Sequence, residues 1–212
     1  MCPKTLKEKE KTYAKPVPVM PEKIMVKDLK DYLQDLSAIP IGLDKNSLNV
    51  FTYNFKKNFA TIITGKSIDG PAELSLHIIE ELRTLNNIDI IVFDVEGVLQ
   101  TQRDSLINDY NNFKQMIESQ ANNEKQTVYV VIGVDRLIND IDSDFGNLLS
   151  ITSRMENYNF ILVDNFTRLK NHEYDEWYKT YISSESGIWV GNGVDNQYLI
   201  RSNTISKNIV KL

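Results

Sequence analysis

At 212 residues, with 42% hydrophobic and 25% charged side chains, the chain is long enough to bury one sizeable core. Its formal net charge of -5 argues against a nucleic-acid surface as the main business of the folded part, since phosphate binding needs a basic face. No apolar run approaches the ~18 residues that cross a bilayer, no signal peptide is visible, and the single Cys2 leaves no internal disulfide, so a soluble chain in a reducing, cytoplasmic setting is expected.

Residues 1–23 are lysine-rich and contain Pro3, Pro16, Pro18 and Pro21, the composition of a linker; 24–212 reads as one folded module. Val26, Leu29, Leu33 and Leu36 have helical spacing, Ile39-Pro40-Ile41-Gly42-Leu43-Asp44 reads as a turn, and Leu48 to Tyr53 alternates like a strand. Apolar runs then recur at Ala60–Thr64, Ile88–Phe93, Val128–Ile132 and Phe160–Val163. Helix-like spacing separates them at Ala72–Leu85, Ser105–Glu118 and Phe145–Met155. Short β-rich runs alternating with helices predict an α/β fold, a mostly parallel sheet covered on both faces. Gly187-Ile188-Trp189-Val190-Gly191-Asn192-Gly193 and Tyr198-Leu199-Ile200-Arg201 read as a closing antiparallel hairpin.

The most informative segment follows the first of these core runs. Gly65-Lys66-Ser67-Ile68-Asp69-Gly70 has the GxxxxG spacing of a phosphate-binding loop, in which backbone N–H groups wrap phosphates at a helix N-terminus. Lysine and serine or threonine should come next, but Pro71 and Ala72 stand there. Gly70-Pro71 also makes a good helix start in its own right. Among other candidates, His77 falls in the helix after the loop and His172 in a polar loop, neither within a metal-spaced array, so no metal site is expected. Tyr174, Trp177, Tyr178 and Tyr181 form an aromatic-rich stretch, the best candidate for a partner surface beside a plain packing role at the sheet edge.

The order of these parts resembles a known family. Met20-Pro21-Glu22-Lys23-Ile24, the "IPIGLD" of 39–44, the loop after Phe59–Thr64, Ile91-Val92-Phe93-Asp94 and the "GIWVGNG" of 187–193 are similar to the C-terminal ATPase module of type VII secretion coupling proteins, the FtsK/SpoIIIE-like proteins of the EssC and YukBA kind. The resemblance covers roughly Met20 to Arg201. It implies a RecA-like P-loop NTPase fold within a membrane-anchored chain whose cytoplasmic modules stand in a row. It also implies partners: small helical substrates of the WXG100 type, the upstream ATPase modules and other secretion components, with no nucleic acid among them.

Against that family's ATPase pattern, the loop is stripped. A lysine at position 71 would hold the β- and γ-phosphates and a hydroxyl at 72 would ligate magnesium; Pro71 and Ala72 do neither. Two lost charge-assisted hydrogen bonds at roughly 1.5–3 kcal/mol each weaken binding on the order of 10²–10⁴-fold. Asp69 and Glu73 add negative charge where phosphate would lie, and Lys66 sits inside the loop. Gly65, Lys66, Ser67, Asp69, Gly70, Pro71 and Ala72 are thus the residues of a degenerate nucleotide site. At the Walker B position, Val128–Ile132 ends in Gly133 and Val134 rather than in acids. Asp135 is the candidate remnant, though a helix-cap or surface ion-pair role fits it better; Asp94 reads as a loop residue. The expectation is a terminal module that recognises secretion substrates without hydrolysis and without a catalytic residue or cofactor of its own. An ATP/Mg2+-binding motor module is the alternative, and a DNA-translocating motor is more distant.

Overall fold

The computed structural model describes residues 29–44, 47–99, 106–107, 109–119 and 125–201. The linker at 1–23, Cys2, and the start of the helical stretch read from Val26 lie outside them; within them that stretch closes in a 3-10 turn at Lys30–Tyr32.

The apolar runs form the sheet. Strands β1 (Ile39–Leu43) and β2 (Val50–Tyr53) precede β3 (Ala60–Gly65), which leads into helix α1 (Asp69–Leu82). Then come β4 (Ile88–Asp94), a two-residue β5 (Leu106–Ile107), α2 (Tyr110–Ser119) and β6 (Gln126–Ile132). A short α3 (Val134–Arg136) continues as a π-turn through Ile141, followed by α4 (Phe145–Thr152) and β7 (Tyr158–Asn165). Finally α5 (Phe166–Asn171) and α6 (Glu176–Tyr181) lead into β8 (Ile182–Val190). The main sheet has the order β5-β4-β6-β7-β3-β8 with every pair parallel. The loop strand β3 and the strand β6 are therefore separated by β7.

Two cores explain the unbroken apolar runs. Along β7, Tyr158, Phe160 and Leu162 face one side, where Phe113, Phe145, Leu149, Leu169 and Trp177 cover them. Ile161 and Val163 face the other, where Ile78, Ile79 and Leu82 of α1 join Leu36, Ile39 and Phe55. A strand buried on both faces has no polar position to alternate with. The first core is strongly aromatic: the rings of Phe93 and Phe113 lie 5.0 Å apart and those of Tyr129 and Phe160 also 5.0 Å, stacking distances that add to area burial.

Two expectations about local structure need correcting. The "IPIGLD" segment is strand β1, not a turn: it pairs antiparallel with β2, with a register shift between Pro40 and Gly42. A proline is tolerated there because this two-stranded ribbon leaves an edge whose N–H is not needed. The closing antiparallel hairpin is also absent. β8 runs parallel to β3, because the α5–α6 crossover returns the chain to the same end of the sheet before β8 begins. Gly191 (φ 86°) and Gly193 (φ 93°) then turn the chain off the carboxyl edge. Residues 198–201 come back without forming a strand, bonded by Arg201 N–H to the Ser184 carbonyl at 2.6 Å. Buried Ile200 packs against Gly187, where a Cβ would lie 2.9 Å from Ile200 Cδ1.

Candidate functional site

In a parallel helix-flanked sheet, ligands meet the carboxyl ends of the strands. That edge here gathers Gly65 of β3, Asp94 of β4, Gly133 after β6, Asp164 of β7 and Val190 of β8.

The loop is short: Lys66, Ser67 and Ile68 alone join β3 to α1. The helix begins at Asp69, so Gly70 and Pro71 lie within its first turn, where a missing N–H costs nothing because the first four donors have no intrahelical partner. None of residues 65–70 has the left-handed backbone that turns successive N–H groups into an anion-binding nest. The glycines instead permit close packing. A Cβ on Gly65 would lie 2.6 Å from the Val190 carbonyl and 3.3 Å from the Pro71 ring; one on Gly70 would lie 3.1 Å from Val190 Cγ1. Lys66 reaches across to the closing turn, where a Cβ on Gly193 would collide with its Cε. Ser67 donates its hydroxyl to Asp69 at 3.2 Å, Glu73 is exposed and Ala72 is buried. Chain atoms thus occupy the space above both glycines.

Beside the loop lie three charged groups that the sequence reading passed over, Asp164, Arg168 and Glu96. Asp164, the register partner of Thr64, is fully buried. It accepts N–H bonds from Asn165 (2.7 Å) and Asp135 (2.9 Å) and has the Arg168 guanidinium 3.6 Å away. Burial pushes its carboxyl above the ordinary carboxylate value despite these partners. Arg168 also donates to Glu96 at 2.8 Å. Gly133, at φ 87°, keeps this corner tight: a Cβ would fall 2.7 Å from Glu96 Cγ. Asp94 is taken up locally, its oxygens accepting from Gly97 (2.9 Å) and Leu99 (2.7 Å). Asp135 sits on α3 rather than at the end of β6, and its carboxylate faces His172 at 3.0 Å. His172 lies in the polar turn between α5 and α6, as read from the sequence, but it is only 5% exposed. The available signal for Asp164 was its place at the end of a buried parallel strand, four residues before Arg168.

The aromatic stretch divides. Trp177 and Tyr181 line a groove of about 390 Å³ between α4 and α6, together with Gly146, Asn147, Ser150, Glu176 and Thr180. A Cβ on Gly146 would stand 3.1 Å from Trp177 Cβ, so the glycine lets the two helices close to this distance. Tyr178 points into the core, its hydroxyl without a hydrogen-bond partner among the described residues; Tyr174 is 75% exposed with Lys179 over its ring at 5.5 Å. A second cavity, about 440 Å³, lies at the opposite end of the sheet between Asp35, Lys56, Lys125 and Asn157. No cluster of three metal-ligating side chains, and no helix long and apolar enough to cross a membrane, occurs among the described residues.

The strand order and the strand–loop–helix that follows β3 define a RecA-like P-loop NTPase fold. It is the fold of the EssC and EccC ATPase domains of type VII secretion. EssC (ATPases 2 and 3) from Geobacillus thermodenitrificans superposes with a TM-score of 0.65 at 20% identity, covering 91% of this chain and 41% of that one. Thermomonospora curvata EccC (ATPases 2 and 3), solved in complex with a signal sequence peptide, gives 0.59 at 16% identity, covering 85% and 40%. The cytoplasmic domain of EssC gives 0.53 at 20% identity, covering 74% and 37%. The chain thus spans about two fifths of the length of these neighbours. No protein-family model and no curated protein matches the chain.

Proposed function

We propose that this chain is a module of a type VII secretion coupling protein that docks secretion substrates of the WXG100-like class and does not turn over nucleotide itself. The observation that carries this reading is the pairing of a filled loop with an open groove. The backbone that would cradle phosphate has no left-handed residue, and its glycines are packed against Val190 and Pro71. The groove between α4 and α6 presents Trp177 and Tyr181 with the hydroxyls and amide of Ser150, Thr180 and Asn147. Aromatic floors with a few polar groups suit the side chains of a peptide segment. The EccC neighbour captured with a signal sequence peptide supports a peptide as the occupant. In this reading upstream modules of the same membrane-anchored chain hydrolyse ATP, and this one holds cargo.

The test is fluorescence anisotropy with labelled signal sequence peptides of secreted helical-hairpin proteins. Saturable binding by the purified chain that drops about 30-fold on Trp177→Ala, a hot-spot effect of about 2 kcal/mol, is expected. Peptide binding indifferent to Trp177 and Tyr181 removes the groove from the account. Micromolar Mg-ATP binding together with turnover makes the motor reading the correct one.

A further inference from the structure

Behind Trp177 lies a histidine that the groove does not expose. His172 is buried at 5% exposure, and each of its ring nitrogens meets a carboxylate: Nδ1 lies 2.7 Å from Asp175 Oδ2 and Nε2 lies 3.0 Å from Asp135 Oδ1. The same Asp175 oxygen accepts the Trp177 indole N–H at 3.2 Å. Asp175 stands at the N-cap of α6, yet its side chain makes no capping bond; it serves the histidine and the indole instead. The imidazole also packs against the indole, with ring centroids 5.8 Å apart.

We propose that His172 is the positioning residue of the groove: clamped between Asp135 of α3 and Asp175 before α6, it fixes the carboxylate that orients Trp177. The inference deepens the docking reading and rests on it for what the groove holds. Its chemistry follows from proton count. A neutral imidazole carries one N–H and can donate to one carboxylate only, leaving a lone pair facing the other; the imidazolium donates to both. The groups that face the ring are Asp135, Asp175 and the indole, with Asp164 and Arg168 behind Asp135 through its N–H bond. Removing the ring takes from both carboxylates the partner they share. A loosened Asp175 lets the Trp177 indole lose its acceptor and admits water to the groove wall.

The chain has two tryptophans and two histidines, which makes the experiment clean. In a Trp189→Phe background, Trp177 emission and acrylamide quenching are compared between the parent chain and its His172→Ala and His172→Gln variants, with binding of a labelled signal sequence peptide measured alongside. His172→Ala is expected to red-shift the emission, to raise quenching roughly twofold and to lower peptide affinity about tenfold. His172→Gln, which keeps a donor, recovers part of each change, while His77→Gln, on the other face with Nε2 3.1 Å from the Pro40 carbonyl, alters neither. Where His172→Ala does not fold, Asp175→Asn, which keeps the side-chain shape and removes the charge that faces the ring and the indole, is expected to give the same red shift. Emission and quenching unchanged in a folded His172→Ala or Asp175→Asn chain overturn the clamp. A shifted Trp177 signal with no peptide binding by the parent chain keeps the clamp and refutes the docking reading.

Discussion

Single residues divide into those that serve backbone geometry and those that serve charge. Gly133 and Gly97 both have left-handed backbone, at φ 87° and 67°, but only Gly133 is also crowded, by Glu96 Cγ at 2.7 Å, whereas nothing lies within 4 Å of a Cβ on Gly97. Gly97→Ala is expected to cost about 1 kcal/mol from backbone strain alone, and Gly133→Ala about 2–3 kcal/mol; urea denaturation that ranks them equally refutes the crowding argument. At the other end of the sheet, the hydrogen bond from Lys56 and those from Ser37 hold the Asp35 carboxyl down to about 2. Because that folded value lies below the unfolded one, the contribution is present above the ordinary carboxylate range and is lost as pH falls through about 2. Lys56→Ala should move the Asp35 titration, followed by NMR, upward toward 3.8. Much of this scale was hidden in the sequence. His172 read correctly as part of a polar loop, but its partner Asp135 lies 37 residues earlier in the chain, so neither its burial nor its contact could be seen in the local sequence. Asp164 was legible only as the residue after a core strand.

Among elements, β7 and α5 carry the charge balance of the carboxyl edge. Arg168, at the start of α5, is the cation beside the fully buried Asp164. Arg168→Ala leaves that carboxylate with its two backbone donors only, a loss of about 1–2 kcal/mol at neutral pH. Burial has already raised the Asp164 carboxyl, and removing the cation raises it further. The folded state then binds the proton more readily than the unfolded one, so the deficit shrinks as pH falls through the folded value. Thermal denaturation from pH 7 to pH 4 checks this, and a deficit that grows toward acid contradicts it. The core strands were readable from the sequence because burial on both faces writes them as continuous apolar runs, and α1 because fourteen residues give helical spacing room to show. Helices α5 and α6, six residues each, are too short for a period to emerge, which is why Trp177 read as part of an irregular aromatic stretch. The direction of β8 was misread for a related reason: the glycines after it signal a turn but say nothing of where the chain goes next.

For the molecule as a whole, GxxxxG spacing survives with a different use. The glycines of the loop admit Val190 and Pro71, so the edge strand β8 seats directly on the loop, while the groove between α4 and α6 stays open. Restoring the side chains alone should not restore chemistry: Pro71→Lys combined with Ala72→Thr is expected to give no ATP turnover, since no acid ends β6 and the loop backbone lacks a nest. Turnover in that double variant would show that another carboxylate of the carboxyl edge acts in place of the missing one. Whether the module holds cargo rather than nucleotide is decided by calorimetric titration of the purified chain with Mg-ATP to millimolar concentration. No saturable heat is expected across that range; a binding isotherm with a micromolar dissociation constant would return the loop to phosphate binding.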